Sequence, residues 1–269
     1  MTTASTISLV LESARSHIAD VDTRDAIRKV FEEECGAETV KVAEQFFVKL
    51  TSRAWPQETL QRVMSGWHDM HQSALFVAGL LVRLLRETTK SAGATQILLA
   101  TSAAEIAEVI PEDAGVDDTA HDILFQRFAR SVTGDDMWRL DRFAVPECRE
   151  FRQFVRLCRI DSAIPEAMLS IAASENWNSA EYTICSELMK GWCPLEGVTG
   201  NELDLEYVHV HAGETELGHF LHAIRAWGLY QGAVGGVLDP DEVACAFRNY
   251  LIHLKDAFVG LSGILDSDS

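Results

Sequence analysis

Four of the nine histidines in this chain, His209, His211, His219 and His222, fall within fourteen residues and are interleaved with Glu206, Glu214 and Glu216. Imidazole and carboxylate groups one helical turn apart converge on a point beside the helix, which is what a transition-metal ion requires. At 3.6 residues per turn, His209, Glu216 and His219 share one face, and His211, Glu214 and His222 share another. Each triplet is a donor set, and the two cannot face one ion. Gly213 and Gly218 each weaken an α-helix here by about 1 kcal/mol relative to alanine, so a bend or local π-turn is expected and would change which residues meet. The plainer reading is a solvated acidic helix with incidental histidines.

The spacing acid-x-x-His occurs three times, in Asp118 with His121, Glu206 with His209, and Glu216 with His219. Two such motifs on different helices, with carboxylates from two others, make the ferritin-like di-iron arrangement, which is one architecture open to the chain. Glu175 stands between Ile171 and Trp177 on a stretch that reads as buried helix, and a buried carboxylate needs a metal or a cation to compensate it. His68 and His71 flank Trp67 at helical spacing; packing or surface roles are expected of them, with a place in a substrate pocket as the alternative. Met64, Met70, Phe76 and Leu80 read as core.

The elements that must hold these groups are helices. Apolar periodicity near 3.6 runs almost end to end, and no segment alternates as a strand would. Thr23 to Cys35 and Glu38 to Arg53 read as two helices parted by Gly36, and Pro56 opens a long third to about Glu87. A fourth spans Ser91 to Ile110, and Asp117, Asp118 and Thr119 supply the N-cap region of the helix carrying His121. Pro146 to Asp161, Pro165 to Trp192, Glu202 to about Gly235, and Asp239 to about Ile264 complete an all-α single domain over residues 1–269, with disorder expected only at Met1–Ser5 and Asp266–Ser269.

Composition narrows the partners. Lys plus Arg of 23 against Asp plus Glu of 41 gives a net charge of −18, which repels nucleic-acid phosphates and anionic lipid. The apolar run Ala74 to Val82 is far short of the roughly twenty residues of a membrane span, and the N-terminus lacks the pattern of a secretory signal. Six cysteines without a Cys-x-x-Cys pair suit reduced thiols in a cytoplasm. The expected partner is a small-molecule substrate, with a homodimer as the one protein assembly in view.

Several pieces in order carry a resemblance. Gly66-Trp67, then Ile110-Pro-Glu112-Asp113-Ala-Gly115, then Ala120-His121-Asp-Ile-Leu-Phe125, then Ile171-Ala-Ala-Ser-Glu175, then Tyr207-Val-His-Val-His211-Ala resemble the haem-oxygenase-like di-iron oxidases and oxygenases from Gly66 to Gly235. The resemblance implies a haem-oxygenase-like bundle of about seven core helices. It also implies two iron ions cycling between Fe(II) and Fe(III) with O2 as co-substrate, and an oxidation of an amino acid, amine or fatty acid. The ligands it implies are Glu112 or Asp113, His121, Glu175, His211, Glu216 and His219.

The family's last motif is His-x3-Asp-x2-His, whereas this chain has His211-x4-Glu216-x2-His219, one residue longer. A π-bulge near Gly213 would absorb that residue; without it, His209 with Glu216 and His219 is the better set. An amine substrate would suit Glu87, Glu105 or Glu108 as an additional carboxylate, and an amino acid or other amine is the favoured substrate. Fatty-acid decarboxylation would need a long apolar tunnel. A thiaminase-II-like hydrolase would need a cysteine nucleophile, a haem-degrading enzyme would need His17 as proximal ligand, and a non-enzymatic helical adaptor predicts no metal and an exposed apolar groove.

Overall fold

The computed structural model describes residues 6–72, 74–116, 119–197 and 202–268. Among the described residues thirteen α-helices follow one another: α1 Thr6–Ser16, α2 Val21–Glu32, α3 Glu34–Thr51, α4 Gln57–His71, α5 Ala74–Lys90, α6 Gly93–Ala107, α7 Ile110–Ala114, α8 His121–Thr133, α9 Pro146–Arg156, α10 Ile164–Leu188, α11 Glu206–His211, α12 Glu214–Val234 and α13 Pro240–Ser267. Among the described residues there is no strand, and the fold is all-α.

An extensively buried helix makes the centre. α10 starts with Pro165 in its first turn, where the missing N–H costs nothing, and carries buried residues on every face from Ile164 to Cys185. A helix buried on every face must be enclosed, and α1, α5, α12 and α13 pack along it. α6 covers α12, and α13 lies against α2, α3 and α9. Trp55, Trp67, Trp138, Trp177 and Trp227 are all fully buried. Gly66 lets α4 approach its neighbours, because a Cβ there would sit 2.8 Å from side-chain atoms of both Leu261 and Val145. No helix among the described residues is long and apolar enough to cross a membrane.

The elements differ from sequence expectation in several places, among them the division between α2 and α3, which falls at Glu33 and leaves the expected breaker Gly36 inside α3. The expected helix Pro56–Glu87 is two helices, because the backbone at Gln72 leaves the helical region (φ −77°, ψ 74°). The expected helix Glu202–Gly235 is also two, parted at Ala212 and Gly213. The segment before Asp20 adds a helix, α1, whose Ile7, Leu11 and Ala14 face the core one turn apart. Asp266 and Ser267 belong to α13 and are not disordered, whereas Met1–Ser5 and Ser269 lie outside the described residues. A π-helical turn, Leu157–Asp161, extends α9 and turns Arg159 fully inward.

Candidate metal centre

The break between α11 and α12 organises the site. Ala212 is extended (φ −84°, ψ 127°) and Gly213 adopts φ 103°, ψ −128°, a conformation that a residue with a Cβ rarely takes. The residue that a continuous helix would have needed to absorb is spent in this corner. The π-bulge expected near Gly213 is absent, because a glycine at positive φ ends one helix and starts the next. His211 closes α11, Glu216 and His219 lie near the start of α12, and His211 Nδ1 is hydrogen-bonded to Glu216 Oε1 across the corner.

Glu175, Glu216 and His219 each offer one donor atom, these atoms lie within 4.8 Å of one another, and all three residues are buried. His219 Nδ1 is 3.8 Å from Glu175 Oε2. The other oxygen of Glu175 is 3.0 Å from Ser174 Oγ, which accepts a hydrogen bond from Arg159 Nη2 at 2.6 Å. Burial alone would raise the Glu175 carboxyl, but hydrogen bonding with His219 and Glu216 and the charges of His219 and Arg159 together hold it well below the usual carboxylate range.

A second group of donors adjoins the first. The rings of His121 and His211 are 4.3 Å apart between centroids, at 67°. His211 is stacked on Tyr182 at 4.5 Å and met edge-on by Tyr207 at 4.7 Å, and the two tyrosine hydroxyls are 2.8 Å apart. Burial, then the neighbouring His121 and His71, push the His211 imidazole well below its usual range, so it is held neutral, the form that binds metals. Its Nε2 is buried and makes no hydrogen bond among the described residues. An imidazole fixed through Nδ1 with a bare Nε2 is the usual preparation of a histidine ligand.

The other sequence candidates divide. Glu112 and Asp113 have backbone within α7, between α6 and α8, while their side chains lie outside the described residues, as does Asp118. His209 is exposed and lines a separate depression beside Cys193, so the alternative set of His209 with Glu216 and His219 is not assembled. Glu206 is paired with Arg127 at 2.9 Å. Glu105 is bonded to His222 at 2.7 Å and Arg225 at 3.1 Å, and Glu87 to Lys90, so neither supplies an additional acid to the cavity.

A cavity of about 270 Å³ opens onto the donors; His121, Glu175, His211 and Glu216 line it together with His68, His71, Phe125, Arg152 and Asn178. His68 and His71 are thus cavity residues, since the break at Gln72 opens the space beside them. Sequence reasoning missed Glu181, a wholly buried carboxylate that accepts from Trp67 Nε1 at 2.7 Å and Trp177 Nε1 at 2.6 Å and lies 3.3 Å from His71 Nε2. The available signal was an acid four residues after Trp177 on an otherwise apolar helix. Burial pulls the His71 imidazole down, but the charge and hydrogen bond of Glu181, with the Trp67 carbonyl, raise it overall. The thiols of Cys148 and Cys185 are buried, which pushes them well up, and no cysteine lines this cavity. His17 is exposed on the segment after α1 and does not line the cavity.

No protein-family model matches the chain, and no curated protein matches it, so the reading of the site rests on its geometry and donor chemistry.

Proposed function

We propose that this protein is a non-haem di-iron oxidase or oxygenase of the haem-oxygenase-like kind, using O2 on a small metabolite, an amino acid or other amine. The observation that carries the reading is the convergence of buried Glu175, Glu216 and His219 within 4.8 Å, beside a neutral His211 with a bare Nε2. Carboxylates and imidazoles without a thiolate suit iron or manganese. Glu175, Glu216 and His219 would hold one ion, and His121 and His211, with Glu112 or Asp113, a second. Ferrous iron, when bound, supplies the electrons that reduce O2.

The chain's own residues do the rest. Tyr182 and Tyr207 clamp the His211 ring, and Arg159 acts through Ser174 to hold Glu175 in place. Phe125 and Tyr207, in contact at 5.0 Å, wall the cavity and exclude water from the donors. His71 keeps a proton at Nε2 against Glu181, at the edge of the space the substrate would fill. The six free cysteines suit a reducing compartment, and we place the protein in the cytoplasm.

Anaerobic loading of the apo-protein with ferrous iron tests this reading. The expected result is about two iron ions per chain, reduced in Glu175→Ala and His219→Ala, and a visible absorption transient on mixing with oxygenated buffer and candidate amino acids. A folded protein that takes up no iron, or takes it up unchanged in those variants, would overturn it.

A further inference from the structure

Arg152, on α9, is the one arginine or lysine among the described residues that line the cavity. Its guanidinium is held from behind, with Nη1 3.1 Å from Oδ1 of Asp69, a buried carboxylate on α4. Asp69 serves two cations, because Arg149 Nε is 3.5 Å from its other oxygen. The second partner of Arg149 is Asp141, whose side chain is 92% exposed and screened by solvent. One buried carboxylate behind two guanidiniums fixes the orientation of both.

Arg156, one turn further along α9, continues the same face. Arg149, Arg152 and Arg156 line a shallow depression that meets the cavity at Phe76 and Arg152. Asp141 lines the same depression beside Arg149, and Arg156 pairs with Asp161 at 3.3 Å, so of the three arginines Arg152 is the one that also lines the cavity. The cavity beside them is apolar along Leu75, Phe76 and Phe125.

We propose that Arg152 is the specificity-determining anchor for a substrate carboxylate, whose apolar body lies along Leu75, Phe76 and Phe125. The planar fork of a guanidinium already oriented by Asp69 matches a carboxylate by paired hydrogen bonds. A phosphate dianion fits less well, because Asp122, Glu175 and Glu216 also line the space. The inference rests on the proposed function for treating this cavity as the substrate's, and it narrows that reading: the substrate is a compact carboxylic acid, amino acids included and simple amines excluded.

Binding to the metal-free protein tests the anchor separately from the metal. Calorimetry or ligand-observed NMR would compare 3-phenylpropanoate and octanoate with their primary amides, and L-phenylalanine with 2-phenylethylamine. Each acid is expected to bind roughly tenfold or more tightly than its uncharged or cationic counterpart. Arg152→Gln should abolish that preference and Arg152→Lys should keep part of it. Equal binding of acids and amides, no binding of any acid, or a preference that survives Arg152→Gln would overturn the proposal. The acid–amide comparison in the unaltered protein decides alone should the variants not fold. Iron uptake by the same preparations separates the two readings: uptake without acid preference removes the anchor and leaves the metal centre, and preference without uptake does the reverse.

Discussion

His211 Nδ1 and Glu216 Oε1 meet across a corner that no continuous helix could make, and the corner depends on Gly213 at φ 103°. A Cβ at Gly213 would meet no neighbouring atom, so the cost of adding one is backbone strain alone. Gly213→Ala is expected to lower stability by about 1–3 kcal/mol. Because the corner sets the register of His211 against Glu216 and His219, iron affinity should fall as well. Urea denaturation beside iron titration checks this; an alanine variant of unchanged stability and affinity would show that the corner is not held by the glycine.

Glu181 accepts the indole N–H of both Trp67 and Trp177 and faces His71, all within the core. Glu181→Ala strips the partner from two buried donors and an imidazole at once. Loss of one member of a buried charged network costs about 3–5 kcal/mol. The expected result in chemical denaturation is a loss of that size, with Glu181→Gln intermediate because its amide oxygen still accepts. A loss under about 1 kcal/mol would mean that the network contributes little net stability.

His71 and His211 titrate in opposite senses. His71 has its folded value raised above the ordinary imidazole value of about 6.5. Its contribution is therefore fully present below that pH and is lost as pH rises through the folded value, because the folded chain holds the proton longer. His211 is depressed, so the unfolded chain binds the extra proton, and stability falls as pH drops below about 6.5. Metal-free protein should be most stable near neutrality. His71→Gln should flatten the alkaline limb and His211→Asn the acid limb in stability measured against pH; interchanged effects would contradict the burial and pairing described above.

Much of this was legible in the sequence, and the failures share a cause. All-α architecture follows from periodicity, and the buried state of Glu175 follows from its place among apolar residues on α10. His211, Glu216 and His219 were nameable as neighbours in sequence, but wheel geometry assumes one continuous helix and so assigned His211 and His219 to different faces. The chain breaks at Gly213, and the wheel no longer applies. The break at Gln72 carries no glycine or proline signal, and nothing local in the sequence explains it. Glu181 is not legible in the sequence because an acid on a long helix reads by default as solvated; only the tertiary meeting of Trp67 on α4 with Trp177 on α10 makes it a buried acceptor.

A cation that binds the buried donors of the folded chain and not the unfolded chain should stabilise the fold by mass action. At one hundred times the dissociation constant a ligand that binds only the folded state adds about 2.7 kcal/mol. Anaerobic Fe(II), or redox-inert Mn(II) as a substitute, is expected to raise the thermal midpoint of the unaltered protein. The rise should shrink towards zero in Glu175→Ala and His219→Ala, which lose a donor from the triad. His209→Ala is the informative control, because His209 is exposed and faces a different depression, and it should keep the full rise. Loss of the rise in His209→Ala with retention in His219→Ala would relocate the ion to the other face of this segment and exclude the triad as its ligands.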